Sequence, residues 1–219
     1  MDFNDSPEEA AWRTECRDWL EANAPAVVGD EDEMLEIGGP AYLARARMWQ
    51  ARKFEAGLTK IPWEPEFGGR NGTSMQQVIF NQEEARFSVP SAAFVIGLGM
   101  IAPTIRACGT DEQRSRYLTK LLRGEEIWCQ MFSEPGAGSD VASLATTATR
   151  DGDEWVINGQ KVWTSGAQYS DFGEIICRTN ADAEKHKGIT AFIVDMKAPG
   201  VTIKPLKQMN GGASFNEVF

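Results

Sequence analysis

The sequence has 219 residues and a formal net charge of −10, with 42% hydrophobic and 25% charged residues, a composition typical of a globular protein. This length suits one or two domains, each able to bury a hydrophobic core. The acidic balance argues against a nucleic-acid-binding protein, which needs clustered Lys and Arg, and the single histidine, His186, excludes metal sites built from several imidazoles.

Cysteine usage and the apolar segments predict the compartment. The cysteines show no C-x-x-C spacing, so we expect buried, reduced thiols and a reducing environment. They are Cys16, Cys108, Cys129 and Cys177. The first residues are acidic where an export signal would be basic, and the longest apolar run, residues 90–103, is too short to span a bilayer. We therefore expect a cytoplasmic protein without membrane insertion.

The first 125 residues have helical periodicity. Ser6, Thr73 and Thr110 each stand three residues before a Glu or Gln, as in a capping box, and predict helix starts. The second of these helices, capped at Thr73 or at a position shifted by one residue, is expected to extend to Phe87. Pro40 at a first helical position predicts another helix over residues 40–55.

Three other segments complete this part. Residues 23–39 are acidic and rich in glycine and proline, which predicts a loop. Two prolines within residues 61–70 exclude a regular helix and predict an ordered connection. The apolar segment 91–102 predicts a helix that is buried on all sides.

After Gly124 the period changes to the alternation of β-strands. Asp151-Gly152-Asp153 and Asn158-Gly159 are typical hairpin turns. Strands are predicted over residues 127–132, 144–150, 154–157, 160–165, 172–178, 189–196 and 201–205. An all-helical domain, residues 1–125, therefore precedes an all-β domain, residues 126–219, an α+β organisation. Residues 215–219 alternate like the beginning of a strand, so we expect a truncated sequence.

Residues 133–140, with the sequence S-E-P-G-A-G-S-D, directly follow a predicted strand. Their glycines allow a ligand to approach the backbone closely, and exposed amides in such a loop can bind anionic or carbonyl oxygens. The same residue types form ordinary surface turns, so both interpretations stay open here. The loop is neither G-x-G-x-x-G nor a P-loop, and it predicts no dinucleotide fold.

Residues 160–165 contain a second candidate. If the strand is regular, Trp163 and Ser165 project from the same side. An aromatic plane beside a hydroxyl suits a flat heteroaromatic ligand. The alternative is a tryptophan of the β core with an incidental serine.

Taken together, three motifs are similar to those of the acyl-CoA dehydrogenase family of flavoproteins. They are P-W-E-P-E-F-G-G-R at residues 62–70, E-P-G-A-G-S-D at 134–140 and N-G-Q-K-V-W-T-S-G at 158–166. The resemblance covers the whole chain. It implies an N-terminal helical domain followed by a β-barrel-like or β-sandwich domain, and a third, C-terminal helical domain that we expect to be missing here.

The resemblance also implies roles for individual residues. Ser139 matches a position that touches both FAD and the acyl-CoA substrate, and Ser165 one that hydrogen-bonds near flavin N5. Many relatives have threonine at the positions of Ser133 and Ser165, and serine keeps the hydroxyl. The implied FAD-binding residues are Gln130, Phe132, Ser133, Gly138, Ser139, Trp163, Thr164 and Ser165.

The activity implied is α,β-dehydrogenation of an acyl-CoA thioester to a trans-2-enoyl-CoA, with an electron-transferring flavoprotein as electron acceptor. The complete protein is expected to be a homotetramer or a heterotetramer. The catalytic base in most relatives is a glutamate of the third domain, so no catalytic residue is assigned in this sequence. Glu134 is not proposed as a substitute base. We expect the 219-residue chain to be inactive alone.

Three alternatives remain. One is a flavin oxidase or monooxygenase of the same superfamily. Another is a naturally short, catalytically incomplete subunit that a partner completes, as in heteromeric members of the family. The third is an interaction protein that keeps the fold without FAD.

Overall fold

The computed structural model describes residues 4–25 and 37–219. The chain divides into two compact units, Met1–Glu125 and Glu126–Phe219. The first is helical and the second is built from strands, which confirms the predicted order of an all-α part followed by an all-β part. Most of the loop predicted for residues 23–39 falls on residues 26–36, which lie outside the described residues.

The helices of the first unit begin where the capping boxes predict. The Ser6 hydroxyl accepts a hydrogen bond from the Glu9 N–H at 3.2 Å, and the Glu9 carboxylate accepts one from the Ser6 N–H at 2.8 Å. Thr73 and Thr110 form the same reciprocal pairs, which satisfy main-chain N–H groups that a helix leaves without partners. In the described residues the α-helices are α1 (Pro7–Asn23), α2 (Pro40–Glu55), α3 (Ser74–Glu84), α4 (Ala102–Cys108), α5 (Asp111–Gln113) and α6 (Thr119–Arg123).

Most helix boundaries agree with the sequence predictions. Helix α2 covers residues 40–55 as expected, whereas α3 ends at Glu84, three residues before the predicted end. The segment 61–70 contains only a single 3₁₀ turn, Pro65–Phe67, which confirms an ordered connection without a regular helix. Helix α6 ends at Gly124, whose φ of +81° a residue with a Cβ atom adopts only with strain.

The apolar stripe of α1 forms one side of the core of this unit. Trp12, Cys16 and Leu20 recur at helical spacing and pack with Trp49 of α2 and Phe80 of α3. Trp12 is 7% exposed and the other four are 2% exposed or less. This stripe therefore joins three helices around one cluster.

A buried carboxylate adds a polar link between α1 and α3. The side chain of Glu83 is 0% exposed and pairs with Arg13 at 3.0 Å, Arg17 at 3.1 Å and Arg86 at 3.2 Å. Burial by itself raises the pKa of Glu83, but the neighbouring guanidinium groups outweigh this effect and the net shift is downward. The charge is accommodated because it is fully paired.

The segment 91–102 is helical, but the prediction that it is buried on all sides is wrong. It contains a 3₁₀ turn, Ala92–Phe94, and a π-helical turn, Gly97–Ile101. Val95 is 61% exposed and Met100 48% exposed. Apolar composition shows which side chains could be buried, whereas actual burial requires a packing partner on every side. No helix of the described ranges, 4–25 and 37–219, has both the length and the apolar character needed to cross a bilayer.

The second unit contains two sheets. Its strands are β1 (Trp128–Met131), β2 (Thr147–Asp151), β3 (Glu154–Asn158), β4 (Lys161–Ser165), β5 (Phe172–Arg178), β6 (Ile189–Asp195), β7 (Ile203–Leu206) and β8 (Phe215–Val218). In the five-stranded sheet, β6 pairs antiparallel along the whole of β5. Strand β1 runs parallel to β5, with Trp128 opposite Phe172, and β2 joins β5 at Arg178. The other sheet has the antiparallel order β4-β8-β7.

One of the two predicted hairpins is present. Strands β2 and β3 pair with Asp151 opposite Glu154, which confirms the first turn. The hairpin predicted at Asn158-Gly159 is wrong, because β3 and β4 belong to different sheets. Gly159 is needed there for space: a Cβ atom would lie 2.3 Å from the Thr146 hydroxyl. The Asn-Gly signal therefore marks a crossing between sheets in this chain.

The core of the second unit lies where the two sheets pack together. Cys129, Met131, Ile175 and Cys177 of the five-stranded sheet cluster with Val218 of β8. In the described part of the chain this unit is two packed open sheets. The β unit is therefore closer to the predicted sandwich than to the predicted barrel-like arrangement.

The four cysteines are all free thiols. Burial raises the pKa of Cys16 and of Cys129 to about 12 and that of Cys177 to about 11, so these thiols stay protonated and unreactive near neutral pH. The prediction of burial is wrong for Cys108, which is exposed at the C-terminal end of α4. A residue that closes a short helix lies at an element boundary, where packing is least complete.

We expect Leu20→Ala to destabilise the helical unit by about 2–5 kcal/mol, because it leaves a cavity at a site with 0% exposure. Urea unfolding followed by far-ultraviolet circular dichroism measures the change. The matched control is Glu21→Ala on the same helix, at an exposed position. Equal stabilities for the two variants would contradict the assigned packing.

Candidate functional site

The loop after β1 is closed at its base and open at its outer part. The main chains of Glu134 and Ala137 form a two-hydrogen-bond bridge, at 2.8 and 3.1 Å, around Pro135 and Gly136. A Cβ atom built on Gly136 or Gly138 would meet nothing within 4 Å. Packing within the chain therefore does not require glycine at these two positions. Because glycine has no side chain, a ligand can approach the backbone closely there.

Strand β4 is not regular, which changes the expectation for Trp163. Lys161 pairs with Val218 and Thr164 with Asn216, so the register shifts by one residue in a β-bulge. Trp163 lies in this bulge with φ +60°. The alternation that would place Trp163 and Ser165 on one side of a regular strand therefore does not apply here.

The bulge brings Trp163 to the surface. Its side chain is 61% exposed, and its ring meets that of Phe215 edge-on, with centroids 5.9 Å apart. Positive φ is unfavourable for a bulky residue and is maintained only when the surroundings require it. This strained, exposed aromatic side chain is the feature of β4 that most resembles a binding surface.

Thr164, next to it, is buried instead. It is 1% exposed, its hydroxyl has no hydrogen-bond partner among the residues that the structure describes, and its carbonyl accepts a hydrogen bond from the Asn216 amide at 3.0 Å. Asn216 also donates to the Gln168 side chain at 2.5 Å. A ligand on the outer surface can therefore meet Trp163 and the half-buried Ser165, but not the Thr164 hydroxyl.

A buried ion pair joins the loop to β4. The Lys161 ammonium, 1% exposed, donates to the Glu134 carboxylate at 2.8 Å and to the Phe132 carbonyl at 3.1 Å. The N–H of Val162 donates to the Ser133 carbonyl at 2.9 Å. Phe132 and Ser133 are thereby held beside β4, although β1 and β4 belong to different sheets.

Glu134 is locked as an anion. Besides Lys161, its carboxylate accepts hydrogen bonds from the main-chain N–H groups of Ala145 at 2.6 Å and Thr146 at 3.0 Å. Burial alone would raise the pKa of Glu134, but these donors outweigh burial and lower it to about 2. A carboxylate with this pKa, and with its oxygens occupied, is a poor general base.

Gln130 has a neighbour that sequence reasoning missed. It lies opposite Glu174 in the parallel pairing of β1 with β5. Glu174 is 6% exposed, and burial raises its pKa, although a hydrogen bond with the Gln130 side chain opposes the shift. Only the register between distant strands brings these two residues together, so no local signal could have identified the pair.

The structure brings some of the predicted residues together and leaves others apart. Phe132 and Ser133 are tied to the segment of Trp163 and Ser165. Gly138 and Ser139 are exposed on the outer part of the same loop as Ser133. Gln130 lies at the β5 side of β1, and Thr164 is buried as described above.

A separate groove of about 700 Å³ lies in the β unit. Its walls include Trp155, Phe192, Val194 and Val201, and none of the eight predicted site residues is among the described residues that line it. Within the described ranges, no group of three or more His, Cys, Asp or Glu side chains could hold a metal ion.

Comparison with known proteins identifies the family. Residues 6–125 match the family model described as "Acyl-CoA dehydrogenase, N-terminal domain", and residues 129–218 match "Acyl-CoA dehydrogenase, middle domain". The chain belongs to the acyl-CoA dehydrogenase family.

Individual relatives in the acyl-CoA dehydrogenase family agree with this assignment. The acyl-CoA dehydrogenase IpdE1 of Mycobacterium tuberculosis is 42% identical over 212 residues, which are 95% of this chain and 54% of that protein. Two solved structures are similar at 32% identity: the Tcur3481-Tcur3483 steroid ACAD, with a TM-score of 0.82 over 100% of this chain and 55% of the other, and the ChsE4-ChsE5 complex of M. tuberculosis, with a TM-score of 0.76 over 100% and 54%. The chain spans about half the length of these acyl-CoA dehydrogenase relatives.

We expect the stability of the β unit of this acyl-CoA dehydrogenase chain to depend on Glu134 at low pH. Its pKa is about 2 in the folded protein, below the ordinary 4.5. The carboxylate therefore contributes stability that is fully present above about pH 4.5 and is lost as the pH falls toward 2. A shift of this size corresponds to on the order of 3 kcal/mol.

The measurement is the free energy of unfolding of the wild-type protein and of Glu134→Gln between pH 7 and pH 2. Glutamine resembles a protonated glutamate, so the difference between the two proteins should narrow as the pH falls. A difference that is constant over this range would contradict the assigned ionisation of Glu134.

Proposed function

We propose that the β unit binds FAD and that the protein functions in α,β-dehydrogenation of an acyl-CoA thioester to a trans-2-enoyl-CoA. The observation that carries the proposal is the strained, exposed Trp163 held next to Ser133 by the Val162–Ser133 hydrogen bond. Family membership and both flavin-side motifs support it. FAD, when bound, supplies the hydride acceptor, and the protein orients it.

The residues present fit a flavin ring. Trp163 offers a planar aromatic surface, and the half-buried hydroxyls of Ser133 and Ser165 can donate hydrogen bonds to ring heteroatoms. The open space at Gly136 and Gly138 lets a ligand approach the backbone of the loop closely. Such a combination of an apolar face with a few polar groups is typical of cofactor sites.

Each site residue predicted from the sequence has a proposed part. Gln130, Phe132 and Ser133 contact the ring from the end of β1, partly through main-chain groups. Gly138 and Ser139 contact the cofactor from the loop, and Ser139 also meets the acyl-CoA. Trp163 and Ser165 take the opposite side.

Thr164 is kept in the proposed site only as part of the backbone that carries Trp163 and Ser165. Its buried hydroxyl supports no direct contact with a ligand on the surface.

The proposal assigns no catalytic base. The α-proton of a thioester is weakly acidic, so its removal requires a well-placed carboxylate or another base of suitable pKa. Glu134 is unsuited because three donors hold its carboxylate. We propose that residues 1–125 and 126–219 are the first two of three domains and that the base belongs to a third, helical domain.

We further propose an electron-transferring flavoprotein as the electron acceptor and a homotetramer or heterotetramer as the complete assembly. The heterotetramer corresponds to an alternative in which this chain is an incomplete subunit of a heteromeric dehydrogenase. The names of two similar structures, each of which joins two chains, support keeping that alternative. A flavin oxidase differs from the homomeric and the heteromeric dehydrogenase in its electron acceptor, because in an oxidase dissolved oxygen reoxidises the reduced flavin rapidly.

We expect Trp163→Leu to weaken FAD binding by up to about tenfold, because the flavin ring loses an aromatic contact. Fluorescence titration of the purified protein with FAD gives the dissociation constant. Trp155→Leu is the matched control: Trp155 is 44% exposed in the same unit and also meets a phenylalanine ring edge-on, at 5.2 Å. An equal loss in both variants, or no loss at Trp163, would argue against the proposed site.

We expect the 219-residue chain to bind FAD but to show no acyl-CoA oxidation with ferrocenium as electron acceptor, because the base is proposed to belong to the third domain. Addition of the remaining helical domain, or of a partner subunit that contains it, should restore turnover. Turnover by the 219-residue chain alone would contradict this assignment, and a wild-type protein that binds no FAD would contradict the proposed function itself.

A further inference from the structure

We propose that the buried Lys161–Glu134 ion pair is a positioning element for the cofactor site: it sets the placement of Phe132 and Ser133 relative to the Trp163 bulge. The inference rests on the proposed function, because it concerns how the two segments hold FAD. Neither side chain is proposed to contact FAD directly. Both act through the backbone segments that they connect.

Three separated segments meet at this pair. The Lys161 ammonium reaches the Phe132 carbonyl, and Glu134 accepts hydrogen bonds from the main chain of Ala145 and Thr146. Glu134 and Lys161 are 27 residues apart in sequence. Movement of either side chain would therefore move both the base of the loop, at the Glu134–Ala137 bridge, and the beginning of β4.

The pair also fixes one end of the bulge. Lys161 is the last residue in register before Trp163, and Thr164 is the first in register after it. The Thr164 carbonyl is held by the buried Asn216 amide at 3.0 Å. Trp163 is thus fixed on both sides by buried side chains, which explains how its positive φ is maintained.

Simple stabilisation does not account for a charged pair at this position. A buried ion pair loses its hydration, and apolar residues of similar volume often stabilise a fold as well or better. What the pair supplies that apolar groups cannot is direction, because each hydrogen bond fixes a donor and an acceptor. Here one of those hydrogen bonds runs from Lys161, at the beginning of the second candidate FAD segment, to the Phe132 carbonyl of the first.

The test compares the wild-type protein with Lys161→Met, Glu134→Gln and the double variant Lys161→Met/Glu134→Gln. For each, far-ultraviolet circular dichroism establishes folding, and titration gives the FAD dissociation constant. The visible circular dichroism of bound FAD reports the asymmetry of the ring's surroundings, which a purely structural role would leave unchanged. Glu83→Gln, which breaks the buried ion cluster of the helical unit, is the control for lost stability.

We expect each β-unit variant to raise the dissociation constant for FAD about tenfold or more and to alter the visible spectrum of bound FAD. The double variant should be no worse than the single variants, because the two residues act as one unit. Glu83→Gln should unfold more easily and yet bind FAD within twofold of the wild type.

Unchanged FAD affinity and spectrum in folded Lys161→Met or Glu134→Gln would overturn the positioning role while leaving the proposed function intact. An equal loss in Glu83→Gln would also overturn it, since the effect would then follow stability alone. If Lys161→Met does not fold, Glu134→Gln decides, because the single side-chain oxygen of glutamine can still accept one of the two hydrogen bonds from the Ala145 and Thr146 main chain. A wild-type protein without FAD binding would instead refute the proposed function, and this inference with it.

Discussion

A buried ammonium group must find a counter-charge and hydrogen-bond acceptors, and in the β unit that requirement is met by Lys161 and Glu134. The pair connects the end of β1 to the beginning of β4, although these strands lie in different sheets. A single main-chain hydrogen bond, from Val162 to Ser133, runs alongside it. The arrangement of the candidate cofactor surface thus depends on side-chain electrostatics at the junction of two sheets, where no continuous ladder could impose it.

The bulge at Trp163 follows from the same constraint. One extra residue between the paired positions turns the indole outward, and buried contacts on each side hold the strained backbone. A regular strand would have alternated its side chains inward and outward. An irregularity of this kind is typical of functional sites, where local strain is retained because the surrounding structure compensates for it.

Local signals in the sequence predicted more than distant ones did. The capping residues Ser6, Thr73 and Thr110 mark helix starts correctly because each box is complete within four residues. Pairings between distant strands left no such trace, so Asn158-Gly159 suggested a hairpin where the chain crosses between sheets. Apolar composition likewise overstated the burial of residues 91–102, because it does not specify what packs against them.

The candidate site shows the same difference between local and distant signals. Its two segments were recognisable from their motifs, since each is contiguous. The interactions that organise them were not, because Lys161 lies 27 residues from Glu134 and Asn216 lies 52 residues from Thr164. The bulge was equally invisible, because it depends on the register of β4 against β8.

The sheet order also has a consequence for how the protein folds. Strand β5 pairs with β1, whose partner residues lie 44 residues earlier, as for Trp128 and Phe172, and β4 pairs with the distant β8. Closing such long loops delays folding relative to the locally capped helices of the first unit. During synthesis the helical unit can therefore form first, whereas the sheet of β4, β8 and β7 cannot assemble before β8 has emerged.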